Sequence, residues 1–283
     1  MSDYKKISIL GMGLLGASLT ISVRKYFKNS FISAWSNSAS SRDTARKMRI
    51  ANCVCDKIED SVKDADIIII CTNPKYVSSI AKEILPYLKS GAIVSDVASV
   101  KEEICNDCKK IFAKSKAVFI GSHPMAGSEK SGAKYAIKDL FKDKPCIVID
   151  SKNKKSLKKL ESFWTTLGMN VKIIPAKIHD EVVATISHLP HISASALCIN
   201  ALQNKKSHFA ISTGFKDTSR IASGDINLWQ DILLQNKKAV LKSISNYKKI
   251  LCELEKSLES ADAKKVATFL KKGKDFRDSL LKK

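Results

Sequence analysis

The sequence predicts an α/β protein: a mainly parallel sheet domain followed by an all-α domain. Three observations carry that reading. Short β-branched runs alternate with helix-length segments up to Pro175, the runs then stop, and long helical stretches fill the remainder. At 283 residues the chain also exceeds the usual size of a single core, so two domains are expected, 1–175 and 176–283.

The elements follow in order. "KISIL" leads into a helix over 14–28, "FISAW" into one over 40–50, "ADIIIIC" into 76–88 and "AIVSDV" into 101–114. "AVFIGS" and "PCIVID" are further strands, a helix follows over 155–167, and "VKIIP" ends the series. Periodicity cannot separate short apolar runs from helix, but their β-branched content and flanking turn residues favour strand. Beyond Pro175 helices are predicted over 177–205, 207–223 and from 228 onward, with breaks near Ser260 and Gly273. No internal repeat or low-complexity segment interrupts the pattern.

Composition narrows the function classes. The net charge of +21 invites a nucleic-acid reading, because clustered cations neutralise phosphates. Here only six of the 49 cationic residues are arginines, and the lysines spread over nearly every helix without forming an aromatic-studded stripe. A solvated lysine coat that attracts small anions is the better reading, with no nucleic acid as partner. The apolar stretch Ile7 to Val23 is broken by glycines, no cleavage site follows it, and no other segment approaches the roughly 20 apolar residues of a membrane span, so a cytoplasmic chain without membrane contact is expected. Of the eight cysteines most lie in apolar runs; Cys53 and Cys55, with Cys105 and Cys108, match zinc spacing poorly and read as structural thiols.

"SILGMGLLGAS" sets Gly11, Gly13 and Gly16 in G-x-G-x-x-G spacing between the first strand and first helix. The first glycine allows the turn, the second a close approach to pyrophosphate, and the third tight helix packing. A dinucleotide site is therefore expected on Gly11, Gly13, Leu14, Leu15 and Gly16, with Thr72 of "CTNP" at a neighbouring strand end. The acid that holds the ribose in NAD sites falls about 20 residues on. At that place stand Ser36 and Asn37, with Arg42, Arg46 and Arg49 following, so NADP is favoured and NAD is the alternative.

Chemistry is expected where strands end. "SDVASVK" and "GSHPMAG" both follow strands, which places His123 at a strand's carboxyl end, facing the nicotinamide, as a base for an alcohol that loses hydride. Arg220 has Asp217 at i−3, where the two can pair on a helix surface. His188 and His191 lie one helical turn apart, where they could line a pocket; with no third ligand evident, no metal is expected. His179 and His208 carry no motif and are assigned to surface or packing.

Together, "GMGLLGAS", "VSDVASVK", "GSHPMAGSEKSG", "ISHLPH" and "STGFKDTSRIASGDINLW" resemble, in order and spacing, the prephenate and arogenate dehydrogenases of tyrosine biosynthesis, over roughly residues 5 to 275. The resemblance implies a Rossmann domain followed by a helical dimerisation domain. It also implies nicotinamide-linked oxidation of a ring alcohol with loss of the ring carboxylate as carbon dioxide, giving 4-hydroxyphenylpyruvate from prephenate or tyrosine from arogenate. It makes His123 the base, Ser99 its hydrogen-bonding neighbour, and Arg220 the carboxylate ligand. His191 would face the substrate side chain, His188 would support the domain junction, and Gly214 and Trp229 would be substrate-side or dimer positions. Lys216 departs from the family, where arginine often stands, and no mutase or regulatory domain is expected at either end. The imidazole of His191 tips the substrate to prephenate, while Ser36 pulls toward an NADP enzyme specific for arogenate. A β-hydroxyacid dehydrogenase would have the same layout but a lysine base where "ISHLPHISASA" supplies histidines. A silent nucleic-acid-binding scaffold would leave Gly13, Ser99, His123 and Arg220 without a common reason.

Overall fold

The computed structural model describes residues 4–281 apart from 129 and 131, so Glu129 and Ser131 of the "GSHPMAGSEKSG" stretch lie outside it. Six parallel strands form the main sheet: β1 Lys6–Leu10, β2 Phe31–Trp35, β3 Cys53–Val54, β4 Ile67–Ile70, β5 Ile93–Asp96 and β6 Val118–Phe119, in the order β3-β2-β1-β4-β5-β6. This is the doubly wound arrangement whose order reverses between β1 and β4, leaving a crevice at their carboxyl ends. β4 explains why the sequence reads as unbroken isoleucine. Ile67 and Ile69 enter the core on one face of the sheet and Ile68 and Ile70 the core on the other, so both faces are dry. The two-residue β3 and the one-turn α3 (Ile58–Val62) are too short to leave a period in the sequence.

Five helices cover the sheets: α1 Leu14–Tyr26, α2 Ala39–Met48, α4 Pro74–Ile84, α5 Glu102–Ile111 and α6 Lys154–Thr166. Their starts are chemically marked, with Ser38, Asn73 and Asn153 accepting backbone N–H groups as N-caps and Pro74 opening α4.

"AVFIGS" is not one strand. β6 stops at Phe119, and β7 (Ser122–Pro124) turns away to pair antiparallel with β8 (Pro145–Ile149), which pairs parallel with β9 (Asn170–Ile174). His123 therefore lies within the second sheet rather than at a free strand end. Gly121 permits the turn, since a Cβ there would come within 2.8 Å of Cys105 Sγ.

After Pro175 the chain runs as one helix, Ala176–Gln203, made of α7 (Ala176–Val183), a π-helical turn (Ala184–His188) and α8 (Leu189–Gln203). Pro190 has no N–H for the carbonyl four residues back, and the helix widens just before it. By length and composition this helix could cross a membrane, with mean hydropathy 1.5 and 28% of its most apolar window buried; that corrects the expectation that no such segment exists. The residues alternate with Ser, Thr and His, so no unbroken apolar run marks it.

The helix predicted over 207–223 is instead a 3₁₀ stretch (Lys205–Ala210), α9 (Thr213–Ser219) and a 3₁₀ turn (Arg220–Ser223), in keeping with its Ser, Thr and Gly content. α10 (Ile226–Gln235) follows and packs on α4. The chain forms two compact units, Met1–Asn236 and Lys237–Lys283. In the second, α11 (Lys237–Glu259) ends at the expected break, whereas α12 (Ala263–Ser279) continues through Gly273. An exposed helical glycine costs about 1 kcal/mol, which the neighbouring turns absorb.

Candidate active site

At the β1–α1 turn the three glycines have separable roles. Gly11 has φ +103°, and a Cβ there would meet Cys71 O at 2.5 Å; a Cβ on Gly16 would meet Gly11 O at 1.8 Å. These two are fixed by turn and packing. A Cβ on Gly13 would meet nothing within 4 Å, so packing does not require glycine there. Gly13 is also the N-cap of α1, makes no side-chain cap, and is followed by no acid in the first turn, leaving backbone N–H donors and the positive helix end for an anion. These residues fit a dinucleotide pyrophosphate. Leu14 is buried and Leu15 half-buried along the same turn, while Thr72 lies beside it, its Cγ2 3.0 Å from a Cβ placed on Gly11.

At the end of β2, Arg42 donates from Nη1 to the carbonyls of Ser36 (2.7 Å) and Asn37 (3.0 Å) and from Nε to Asp56 (3.2 Å). Arg42, expected from the sequence to favour a 2′-phosphate, is thus already engaged by an aspartate 14 residues on. Arg46 donates to the same carboxylate at 2.6 Å.

Around His123 the structure closes a ring of hydrogen bonds. Its Nδ1 lies 2.8 Å from His179 Nε2, and His179 Nδ1 lies 2.7 Å from Asp180 Oδ1. Asp180 also accepts the backbone N–H of Lys101 (2.8 Å) and Glu102 (2.9 Å). The Lys101 ammonium is fully buried against Asp96, whose other oxygen accepts the N–H of Ser122, the residue before His123. Three elements, β5, β7 and α7, are locked together through this ring.

The ring sets a tautomer. A carboxylate only accepts, so His179 carries its proton on Nδ1 and presents a lone pair at Nε2. His123 then donates from Nδ1, which leaves its Nε2 unprotonated. Burial, then His179, Lys101 and His188, hold His123 well below its ordinary value of 6.5, so it is a neutral base near pH 7. Burial lowers His179 as well, against the opposing pull of Asp180.

His179, expected at the surface or in packing, is fully buried and hydrogen-bonded to His123; His208 is exposed and bonds the Ala201 carbonyl. The adjacent "HD" of "KIHDEVV" was the available signal, but 56 residues separate His179 from His123 and only folding joins them. Ser99 is half-buried in the loop that Asp96 and Lys101 clamp, through bonds to the Ala98 N–H (3.1 Å) and the Val100 carbonyl (2.9 Å). Among the described residues it makes no hydrogen bond to His123, whose Nδ1 is taken by His179.

The substrate-side candidates divide. His191 stacks on Trp229 with ring centroids 3.6 Å apart and planes 9° from parallel, and His188 meets the same indole edge-on at 6.1 Å. Asn236 bridges the Asp180 carbonyl (2.9 Å) and His188 Nδ1 (3.2 Å), so the histidine pair is tied to the His123 ring through α7. His188 Nε2 and His191 Nδ1 are buried without a hydrogen-bond partner among the described residues. Arg220 is exposed at the start of the 3₁₀ turn that packs against α8, and Gly214 is exposed on α9. Asp217 and Arg220 form no ion pair among the described residues, because α9 ends at Ser219 and the turn tightens between them. Lys216 is exposed, and no group of three or more ligating side chains is placed to hold a metal among the described residues.

A glycine turn opening onto a helix N-terminus, with a buried neutral imidazole in the same compact unit, defines a dinucleotide-dependent dehydrogenase. The comparisons narrow this. Residues 19–173 match the model of the prephenate dehydrogenase nucleotide-binding domain and 175–272 that of the prephenate dehydrogenase dimerization domain. Cyclohexadienyl dehydrogenase of Zymomonas mobilis is 30% identical over 99% of this chain and 97% of its own. Among solved structures, prephenate dehydrogenase of Aquifex aeolicus in complex with hydroxyphenyl propionate and NAD+ has TM-score 0.91 at 30% identity, covering 98% of each chain. Arogenate dehydrogenase of Synechocystis has TM-score 0.85 at 28% identity, covering 97% of this chain and 99% of its own. The chain belongs to the prephenate dehydrogenase family, NAD(P)-dependent oxidoreductases that carry out an oxidative decarboxylation in tyrosine biosynthesis.

Proposed function

We propose that the chain oxidises prephenate, and arogenate as its second substrate, with His123 as the base. The observation that carries this is the ring tautomer: the His179–Asp180 pair leaves the Nε2 lone pair of a buried neutral imidazole available for a hydroxyl proton. The nicotinamide, when bound, accepts the hydride from the ring carbon. His123 takes the hydroxyl proton at Nε2, and its new positive charge is stabilised through His179 by the Asp180 carboxylate. Ser99, held in its clamped loop, hydrogen-bonds the hydroxyl. Loss of the ring carboxylate as carbon dioxide then makes the ring aromatic, so oxidation is the step that needs a catalyst.

The sheet domain (1–175) serves the dinucleotide, and the helical part (176–283) serves the substrate and a second copy of the chain. Arg220 supplies the carboxylate fork, and the unpartnered Nδ1 of His191, stacked on Trp229, faces the side chain. A keto acid suits a neutral imidazole better than an ammonium does, which ranks prephenate first. NADP is the favoured cofactor, since the β2 end carries Ser36 and Asn37 and no acid, with Arg42 beside them. NAD is the alternative, and it is the cofactor in the Aquifex complex. A homodimer in the cytoplasm is the expected setting.

The test is cofactor reduction with NAD or NADP and prephenate or arogenate, on wild type, His123→Asn and His179→Gln. Loss of about 10²-fold or more in His123→Asn is expected. A loss of about 10–100-fold is expected in His179→Gln, as for other groups that orient a functional imidazole. Turnover with neither substrate in wild type would defeat the proposal, and an unchanged rate in His123→Asn would defeat the base assignment.

A further inference from the structure

An acid lies beside the end of β2, just beyond the neighbouring strand. β3 pairs with β2, and Asp56, just beyond it, sits against Trp35, whose indole N–H donates to the Asp56 carbonyl at 3.2 Å. One Asp56 oxygen accepts from both Arg42 Nε (3.2 Å) and Arg46 Nη2 (2.6 Å), and Arg42 also holds the carbonyls of Ser36 and Asn37. The carboxylate is 70% exposed, whereas the Arg42 side chain is 17% exposed. A single guanidinium therefore spans the β2 end and the aspartate, and a second arginine backs it.

Resting on the dinucleotide reading above, we propose that Asp56 is the residue that sets the balance between NADP and NAD, by occupying the arginines that a 2′-phosphate would need. A 2′-phosphate brings nearly two negative charges and acceptor oxygens suited to guanidinium forks. To use Arg42 and Arg46 it must displace Asp56 and tolerate a carboxylate of the same sign beside it. A 2′-hydroxyl needs neither arginine. Asp56 thus restrains the preference that Ser36, Asn37 and Arg42 would otherwise give NADP. Arg46 first, and Arg42 with it, hold the Asp56 carboxyl below its ordinary range, so it stays ionised across the working pH range. Asp56 is itself exposed, and Arg42, its less exposed partner, keeps the carbonyls of Ser36 and Asn37 when Asp56 is replaced.

The experiment titrates NADH and NADPH into wild type, Asp56→Asn and Asp56→Ala, following the change in nicotinamide fluorescence on binding. In both variants the NADPH Kd is expected to fall about tenfold, the worth of one partly screened charge-assisted contact, with the NADH Kd moving less than about threefold. NADPH binding should also become steeper in its dependence on salt. An NADPH Kd that is unchanged or raised in both variants overturns the assignment. So does equal tightening of both cofactors, which would mark a general field effect. Wild type that binds neither cofactor would overturn the dinucleotide reading, and the assignment with it.

Discussion

His123, His179, His188 and His191 all sit buried, and burial lowers each of them, His188 to about 4. For each, the unfolded chain binds a proton more readily than the folded one. Stability is therefore fully present above the unfolded value of 6.5 and falls as pH drops below it, down to about 4 for His188. The urea midpoint is expected to fall steadily from pH 7 to pH 5, and His188→Asn should flatten that slope. An equal midpoint at both pH values would mean that the rings protonate without cost. The sequence could nominate His123 from its strand-end setting, but its neighbours were out of reach. His179, Asp180 and Lys101 are distant in sequence, and their meaning arises when α7 docks against β7 and β5.

At the scale of the element, the turns around α9 and α10 decide the shape of the substrate side. Gly224 ends the 3₁₀ turn with φ −63°, a conformation any residue adopts, so its importance is steric. A Cβ there would lie 2.4 Å from Trp229 Nε1 and 3.2 Å from His191 Cε1. Gly224→Ala should unseat the stacked pair and lower kcat/KM for the substrate by roughly 10–100-fold, mainly through KM, while cofactor affinity holds. Near-ultraviolet circular dichroism would register the moved indole. "SGDINLW" contained both residues, yet nothing in one dimension states that Gly224 lies beneath Trp229. The β1–α1 turn is the opposite case: its three glycines follow a local rule of turn, phosphate approach and packing, and each could be read in order.

At the scale of the whole molecule, the first compact unit leaves a wide apolar surface on the Ala176–Gln203 helix, with Ile186 58%, Ile199 57% and Leu202 65% exposed. Phe209, just beyond it, is 93% exposed. Patches of this kind mark interaction surfaces, and the matched dimerization domain covers this segment. An isologous dimer is expected to bury this face. The pair Ile199→Lys and Leu202→Lys should convert a dimer into a monomer by light scattering; an unchanged dimer would place the interface elsewhere.

The sequence by itself determined the doubly wound α/β class and the phosphate turn, and it nominated His123, because each rests on local chemistry: strand propensity, glycine conformational freedom and the residue types that follow an apolar run. It also predicted the helical second half, though not where α9 ends or that Gly273 stays within α12. Tertiary structure alone decided which ring nitrogen of His123 is left bare, which arginines Asp56 occupies and how His191 meets Trp229. Those are contacts between residues far apart in the chain, and their energies depend on burial and direction, which packing creates and spacing does not record.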